Sequence, residues 1–236
     1  MRHPLPIQFA AGLFFLAIVN WLVPLAEREP RPQKTTFAQS GGTFRTVCAT
    51  CHGQMGEGKK DLMTPSIASL PRWYLEEQIQ KFRNGQRGDH PDDLHGKQMK
   101  AAVSKLTEEQ LSEALDHIDT LPPLVPPPTL TGDVKNGYEL YFEKCMGCHR
   151  FNGHGERSFH SAALNGLQDW YLLEQMKKFQ TGVRGYHLDD ESGAKMRDTM
   201  KYLPSDQDQL DILALITKLA NEYPVEKNPR SQRTRE

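Results

Sequence analysis

The chain has 236 residues, a formal net charge of −1 and four cysteines. That length leaves room for two small domains, and the absence of a basic field argues against a nucleic-acid partner. By region the net charge is +2 over residues 1–36, −2 over 37–120, −3 over 133–223 and +2 over 224–236, which is an ordinary solvated surface with two mildly acidic halves.

Residues 1–26 read as a signal anchor. Met1-Arg2-His3-Pro4 leads into an apolar run from Ile7 to Ala26, interrupted by Gln8, Asn20 and Pro24. About 20 helical residues span roughly 30 Å, the thickness of a bilayer's hydrocarbon core. The apolar region of a cleaved signal peptide is shorter, about 7–15 residues, and ends at a small-x-small site; here Pro24-Leu25-Ala26 is a poor one. Residues 27–36 carry no apolar period and read as a tether, with a reach of at most about 33–36 Å.

The first predicted domain, residues 37–120, carries Cys48-Ala49-Thr50-Cys51-His52. The second, residues 133–223, carries Cys145-Met146-Gly147-Cys148-His149. C-x-x-C-H is the attachment signature of c-type haem: two thiols bond the vinyl groups and the following His becomes an axial ligand. A four-cysteine zinc site would place its knuckles closer together and would not need a His after each. A redox dithiol would sit in a βαβ pattern, which is absent. Two covalently bound haem c groups are therefore expected. Since c-type haem is attached outside the bacterial cytoplasm, the expected location is the bacterial inner membrane, single-pass, with the haem domains in the periplasm.

The two motifs belong to an internal repeat with an offset of 97, running without a gap from Cys48/Cys145 to Leu106/Leu203. It matches Trp73-Tyr74-Leu75 with Trp170-Tyr171-Leu172, Lys81-Phe82 with Lys178-Phe179, and Asp92-Asp93 with Asp189-Asp190. The chain is thus a duplicated domain. Between the copies, residues 121–132 begin Leu-Pro-Pro-Leu-Val-Pro-Pro-Pro, a stiff extended connector. Residues 224–236 form a polar tail.

Each copy reads as all-α. A short helix enters the haem motif at about 37–49 and 133–147, the second with Asp133 as N-cap. Another runs from Arg72 to Arg83, with a counterpart from Trp170 to Gln180 capped by Asp169. The last helix opens with Thr107-Glu108-Glu109-Gln110, a capping box, and its counterpart opens at Ser205. Domains of about 85 residues bury too little apolar surface to be robust alone, so the haem must complete each core.

The sixth iron ligand has to lie downstream of His52 and His149. Among the methionines, Met99 and Met196 are related by the repeat, and both fall in a stretch that reads as loop before the last helix. Met55, Met63, Met146, Met176 and Met200 read as apolar filler. His90 and His187 are a competing repeat-related pair. His95, His117, His154 and His160 have no repeat partner and read as surface residues.

The run Cys-Ala-Thr-Cys-His-Gly-Gln-Met-Gly-Glu-Gly, then Pro-Ser-Ile-Ala-Ser-Leu, then Trp73 to Gly88, then a Met before an acidic capped helix, resembles the dihaem cytochrome c4 family of class I c-type cytochromes. The resemblance covers about residues 40–222. It implies two cytochrome c folds with facing haems, iron ligated by His52 with Met99 and by His149 with Met196, and Pro65 offering its carbonyl to the axial imidazole. The second copy has Ala162 at that place, which leaves the partner of His149 open. The N-terminal anchor departs from soluble members of that family.

His/Met iron is closed to substrate and suits electron transfer. The expected role is that of a membrane-anchored carrier between a quinol-oxidising complex and a terminal oxidase or reductase. A fixed subunit of such a complex is the alternative, slightly favoured by Asn20 in the anchor. A dihaem peroxidase or a thiosulfate-oxidising enzyme would need an exchangeable ligand on one iron, whereas both copies carry the same Met.

Overall fold

The computed structural model of the protein describes residues 42–203 and 205–227. The expected anchor, the tether and residues 228–236 of the tail lie outside the described residues. Among the described residues, no helix is long and apolar enough to cross a membrane.

The first copy opens with a π-helical turn, Phe44–Cys48, continuing directly into α1 (Ala49–His52), followed by α2 (Arg72–Arg83), α3 (Leu94–Val103) and α4 (Glu108–Thr120). The second has α5 (Val134–Lys144), α6 (Met146–His149), a 3₁₀ turn at Arg157–Phe159, α7 (Asp169–Gln180), α8 (Glu191–Met200) and α9 (Asp206–Glu222). No strand occurs among the described residues. Two isolated bridges, Lys59 with Thr64 and Glu156 with Ser161, pin the loop that follows each haem motif. The expected short entry helix of the second copy is two pieces, because the chain bends at Cys145 between α5 and α6.

Local chemistry fixes most of the helix ends. Thr107 and Gln110 form the reciprocal capping box of α4, Ser205 caps α9 and Asp133 caps α5, each satisfying N–H groups that a helix start leaves open. Buried Tyr74, Leu75, Gln78 and Phe82 lie on one face of α2, the spacing of a half-buried helix. Gly137 lets α5 press against α9: a Cβ there would stand 2.0 Å from the Asp211 carbonyl oxygen.

Three expectations are corrected. Met99 and Met196 lie on helices, α3 and α8, not in loops; the Asp93 and Asp190 carboxylates accept the Gly96 and Gly193 N–H groups at 3.0 Å and start those helices. Asp169 does not cap α7, whose N-cap is Gln168. Its carboxylate is taken by the connector, accepting from Leu130 N at 2.7 Å and Thr129 Oγ1 at 2.8 Å. His117 is buried, its ring 4.8 Å from that of Phe44, where α4 packs on the π-helical turn.

The proline-rich connector runs without helix, and both copies grip it. Ser69 Oγ donates to Leu124 O at 2.8 Å and accepts from Leu124 N at 2.7 Å, while Asp169 holds its far end. The copies themselves meet in a reciprocal manner. Lys81 reaches Asp190 and Lys178 reaches Asp93, each at 2.8 Å, so residue pairs related by the repeat bind each other's partners, as across a two-fold axis.

Candidate haem sites

The CxxCH turns of α1 and α6 present their side chains to a continuous cavity of about 420 Å³. In the first copy its wall includes Cys48, Cys51, His52 and Met99, with Leu70, Leu75, Phe82 and Leu115 around them. In the second it includes Cys145, Cys148, His149 and Met196, with Leu167, Leu172, Phe179 and Ile216. Each expected ligand pair thus shares one cavity, whereas His90 and His187 do not line it. Their Nδ1 atoms instead accept Asp92 N and Asp189 N at 3.2 Å in exposed loops.

Both CxxCH imidazoles are held at Nδ1 by a backbone carbonyl. His52 Nδ1 lies 2.8 Å from Pro65 O, and His149 Nδ1 lies 2.9 Å from Ala162 O. The replacement of proline by alanine in the second copy therefore leaves the acceptor in place, since it is a backbone carbonyl and not the ring that the imidazole meets. With Nδ1 as the N–H donor, Nε2 is left as the metal-binding nitrogen. Burial pushes the pKa of both histidines down, with the carbonyl bond opposing it. The imidazoles are held neutral, as a metal ligand must be.

The same apolar setting acts on the thiols. Burial pushes the free thiol of Cys48 up to about 11 and that of Cys145 up to about 12, while Cys51 and Cys148 are exposed.

Where the copies meet, the cavity is lined by Arg87 and Arg184, which sit among Gln78, Gln175 and Tyr74. Arg87 donates to Gln78 Oε1 at 2.7 Å and Arg184 to Gln175 Oε1 at 2.8 Å. Arg184 also reaches Gln78 Oε1 at 3.1 Å, across the boundary. Burial and the charge of Arg184 both push the Arg87 pKa down. Nε of each arginine is buried without a hydrogen-bond partner among the described residues. Arg87 is buried and Arg184 half-buried, Asp93 and Asp190 lie close enough to feel their charge, and the two spare Nε donors beside an apolar cavity still call for an acceptor. The carboxylates of haem would meet that need, and thiols, imidazoles and cavity walls would meet the rest, so the residues present fit the group.

The repeat register marks the cysteines, histidines and methionines as candidate site residues. Arg87/Arg184 and Gln78/Gln175 stand in the same register, with no motif of their own to mark them. His95, expected at the surface, lines the cavity one helical turn before Met99, with its Nδ1 buried and unpartnered among the described residues.

The family model for cytochrome c matches twice, over residues 40–122 and 134–220. Among curated relatives, the FixP subunit of a cbb3-type cytochrome c oxidase from Azorhizobium caulinodans is 31% identical over 148 residues, which are 60% of this chain and 48% of that protein. A thiosulfate dehydrogenase electron acceptor from Thiomonas intermedia is 24% identical over 196 residues, 78% of this chain and 81% of that protein. Reduced cytochrome c4 from Pseudomonas stutzeri has a similar fold, with a TM-score of 0.58 at 24% identity over 75% of this chain and 95% of that one. The doubled match, covering more than half of the sequence with one C-x-x-C-H in each half, places the chain in the cytochrome c family, as two tandem cytochrome c domains that each bind one haem c covalently.

Proposed function

We propose that the protein is a membrane-anchored dihaem electron carrier, working between a quinol-oxidising donor and a terminal oxidase or reductase in the periplasm. Residues 1–26 serve as its transmembrane anchor, 37–120 and 133–223 as its haem domains and 121–132 as the connector. The observation that carries this reading is the same in both copies: a CxxCH histidine, fixed through Nδ1 by a backbone carbonyl, shares an apolar cavity with a repeat-related methionine. His52 with Met99, and His149 with Met196, would hold the two irons and leave no position for a substrate.

Haem c, when bound, supplies a one-electron iron couple whose potential His/Met ligation raises. The chain's own residues do the rest. The carbonyls of Pro65 and Ala162 orient the imidazoles, the leucine and phenylalanine walls exclude water, and Arg87 with Arg184 supplies positive charge at the boundary. The reciprocal lysine–aspartate pairs hold the two domains in one arrangement, which a relay over two centres needs.

A second reading, a fixed subunit of an oxidase complex, is favoured by the similarity to FixP, of which the chain spans about half. The Thiomonas relative supports a different donor, a sulfur-oxidising dehydrogenase. Two variants separate carrier from subunit: a chain cut after Thr36, and one with residues 7–26 replaced by an unrelated transmembrane helix. A carrier keeps exchanging electrons in both forms, with concentration-dependent rates once soluble. Loss of association with the oxidase after the helix swap would establish the fixed subunit instead. Turnover of peroxide or thiosulfate by the soluble form would exclude both.

A further inference from the structure

The peptide group between Pro65 and Ser66 is held at both ends. Its carbonyl oxygen accepts from His52 Nδ1 at 2.8 Å. Its N–H, on Ser66, donates at 2.9 Å to Oε1 of Gln168, a residue of the second domain. The orientation of that side-chain amide is set by its other end, where Nε2 donates to the Glu57 carbonyl at 2.6 Å. Gln168 is buried and closely fitted, since a Cβ on Gly58 would stand 2.7 Å from its Nε2. These contacts make a chain that runs from His52 through one backbone amide to the other domain.

Hydrogen bonds in series through an amide polarise one another: an acceptor on the N–H places more negative charge on the carbonyl oxygen. That oxygen then accepts more strongly from the imidazole N–H, which makes the imidazole a more basic metal ligand. A more basic axial ligand stabilises the oxidised iron and lowers its potential. The second copy lacks the device. The repeat counterpart of Gln168 is Pro71, whose side chain has no amide to offer the peptide after Ala162.

We propose that Gln168 of the second domain is a positioning residue for the haem of the first domain, strengthening the Pro65–His52 hydrogen bond across the boundary and lowering the potential of that haem alone. The two haem sites, alike in every ligand, are thereby made unequal by a residue that belongs to neither ligand set. Docking of the second domain is in turn read out at the first domain's iron.

The test uses the full-length holoprotein. Gln168→Met keeps the volume and removes both hydrogen bonds, and haem content confirms that both sites are filled. The expected result is a higher potential for the first domain's haem with the second's unchanged. In the reduced, diamagnetic protein the His52 Nδ1–H proton resonance should move upfield and exchange faster with solvent, while that of His149 stays put. Gln168→Glu keeps an acceptor for Ser66 N–H and should leave the first potential at or below that of the natural protein, which serves also if the Met variant fails to fold. Equal shifts of both haems, an unmoved first potential, a shift in potential without movement of the His52 N–H, or a raised potential in Gln168→Glu would each overturn the proposal.

Discussion

Lys81 Nζ of the first domain lies 2.8 Å from Asp190 Oδ1 of the second, with the aspartate side chain 1% exposed. The repeat-related pair returns the contact, Lys178 Nζ lying 2.8 Å from Asp93 Oδ1. Each aspartate also caps the helix that carries the expected methionine ligand, through Gly193 N and Gly96 N. One carboxylate therefore ties domain docking to the placement of each methionine helix.

Lys81→Met should destabilise the docked arrangement by about 3 kcal/mol, the lower end for removing one partner of a buried pair, because Asp190 keeps its bond from Gly193 N. Amide hydrogen exchange at the domain boundary checks this. A double-mutant cycle with Asp190→Asn should show coupling well above the roughly 0–1 kcal/mol of an exposed pair.

The same pairs set an acid limit. Burial alone would raise the pKa of Asp93 and Asp190, but Lys178 and Lys81, with the helix N–H groups, more than offset it and hold both carboxyls below the usual range. A carboxyl whose folded-state pKa is depressed contributes stability above its unfolded value of about 3.9 and loses it as pH falls further. Docking should thus be steady at neutral pH and weaken only below about pH 4. Small-angle scattering against pH measures it, and loosening already at about pH 6 would contradict it.

Replacing Cys48 and Cys51 by Ala should remove one haem and leave the other, which intact mass and the pyridine haemochrome spectrum count directly. Met99→Ala and Met196→Ala should each open one iron to carbon monoxide. His90→Ala and His187→Ala should leave the haem spectrum unchanged, since neither side chain lines the cavity.

What the sequence revealed was what the two copies share. The offset of 97 singled out both CxxCH motifs, Met99 and Met196, and the caps at Thr107 and Ser205 follow from side-chain chemistry within one turn of helix. The helices bearing the methionines are hard to read from the chain because Leu94 to Val103 and Glu191 to Met200 carry no clear apolar period, and the capping signal in Asp-x-x-Gly resembles a turn. Asp169 misleads for a related reason: it sits where an N-cap belongs, yet the connector competes for its carboxylate. Gln168 could not be found by comparing copies, since its counterpart is Pro71 and its partners, Ser66 and Glu57, lie about 100 residues away in sequence. Contacts made between domains and only once are invisible to a repeat.

The central claim is that the chain holds two closed haem irons and only transfers electrons. Its most direct test is a redox titration of the full-length protein, followed optically with and without carbon monoxide. The account predicts two one-electron waves of equal haem absorbance, both unmoved by carbon monoxide. A wave that shifts under carbon monoxide, or a haem that stays high-spin when reduced, would show an open iron and contradict it.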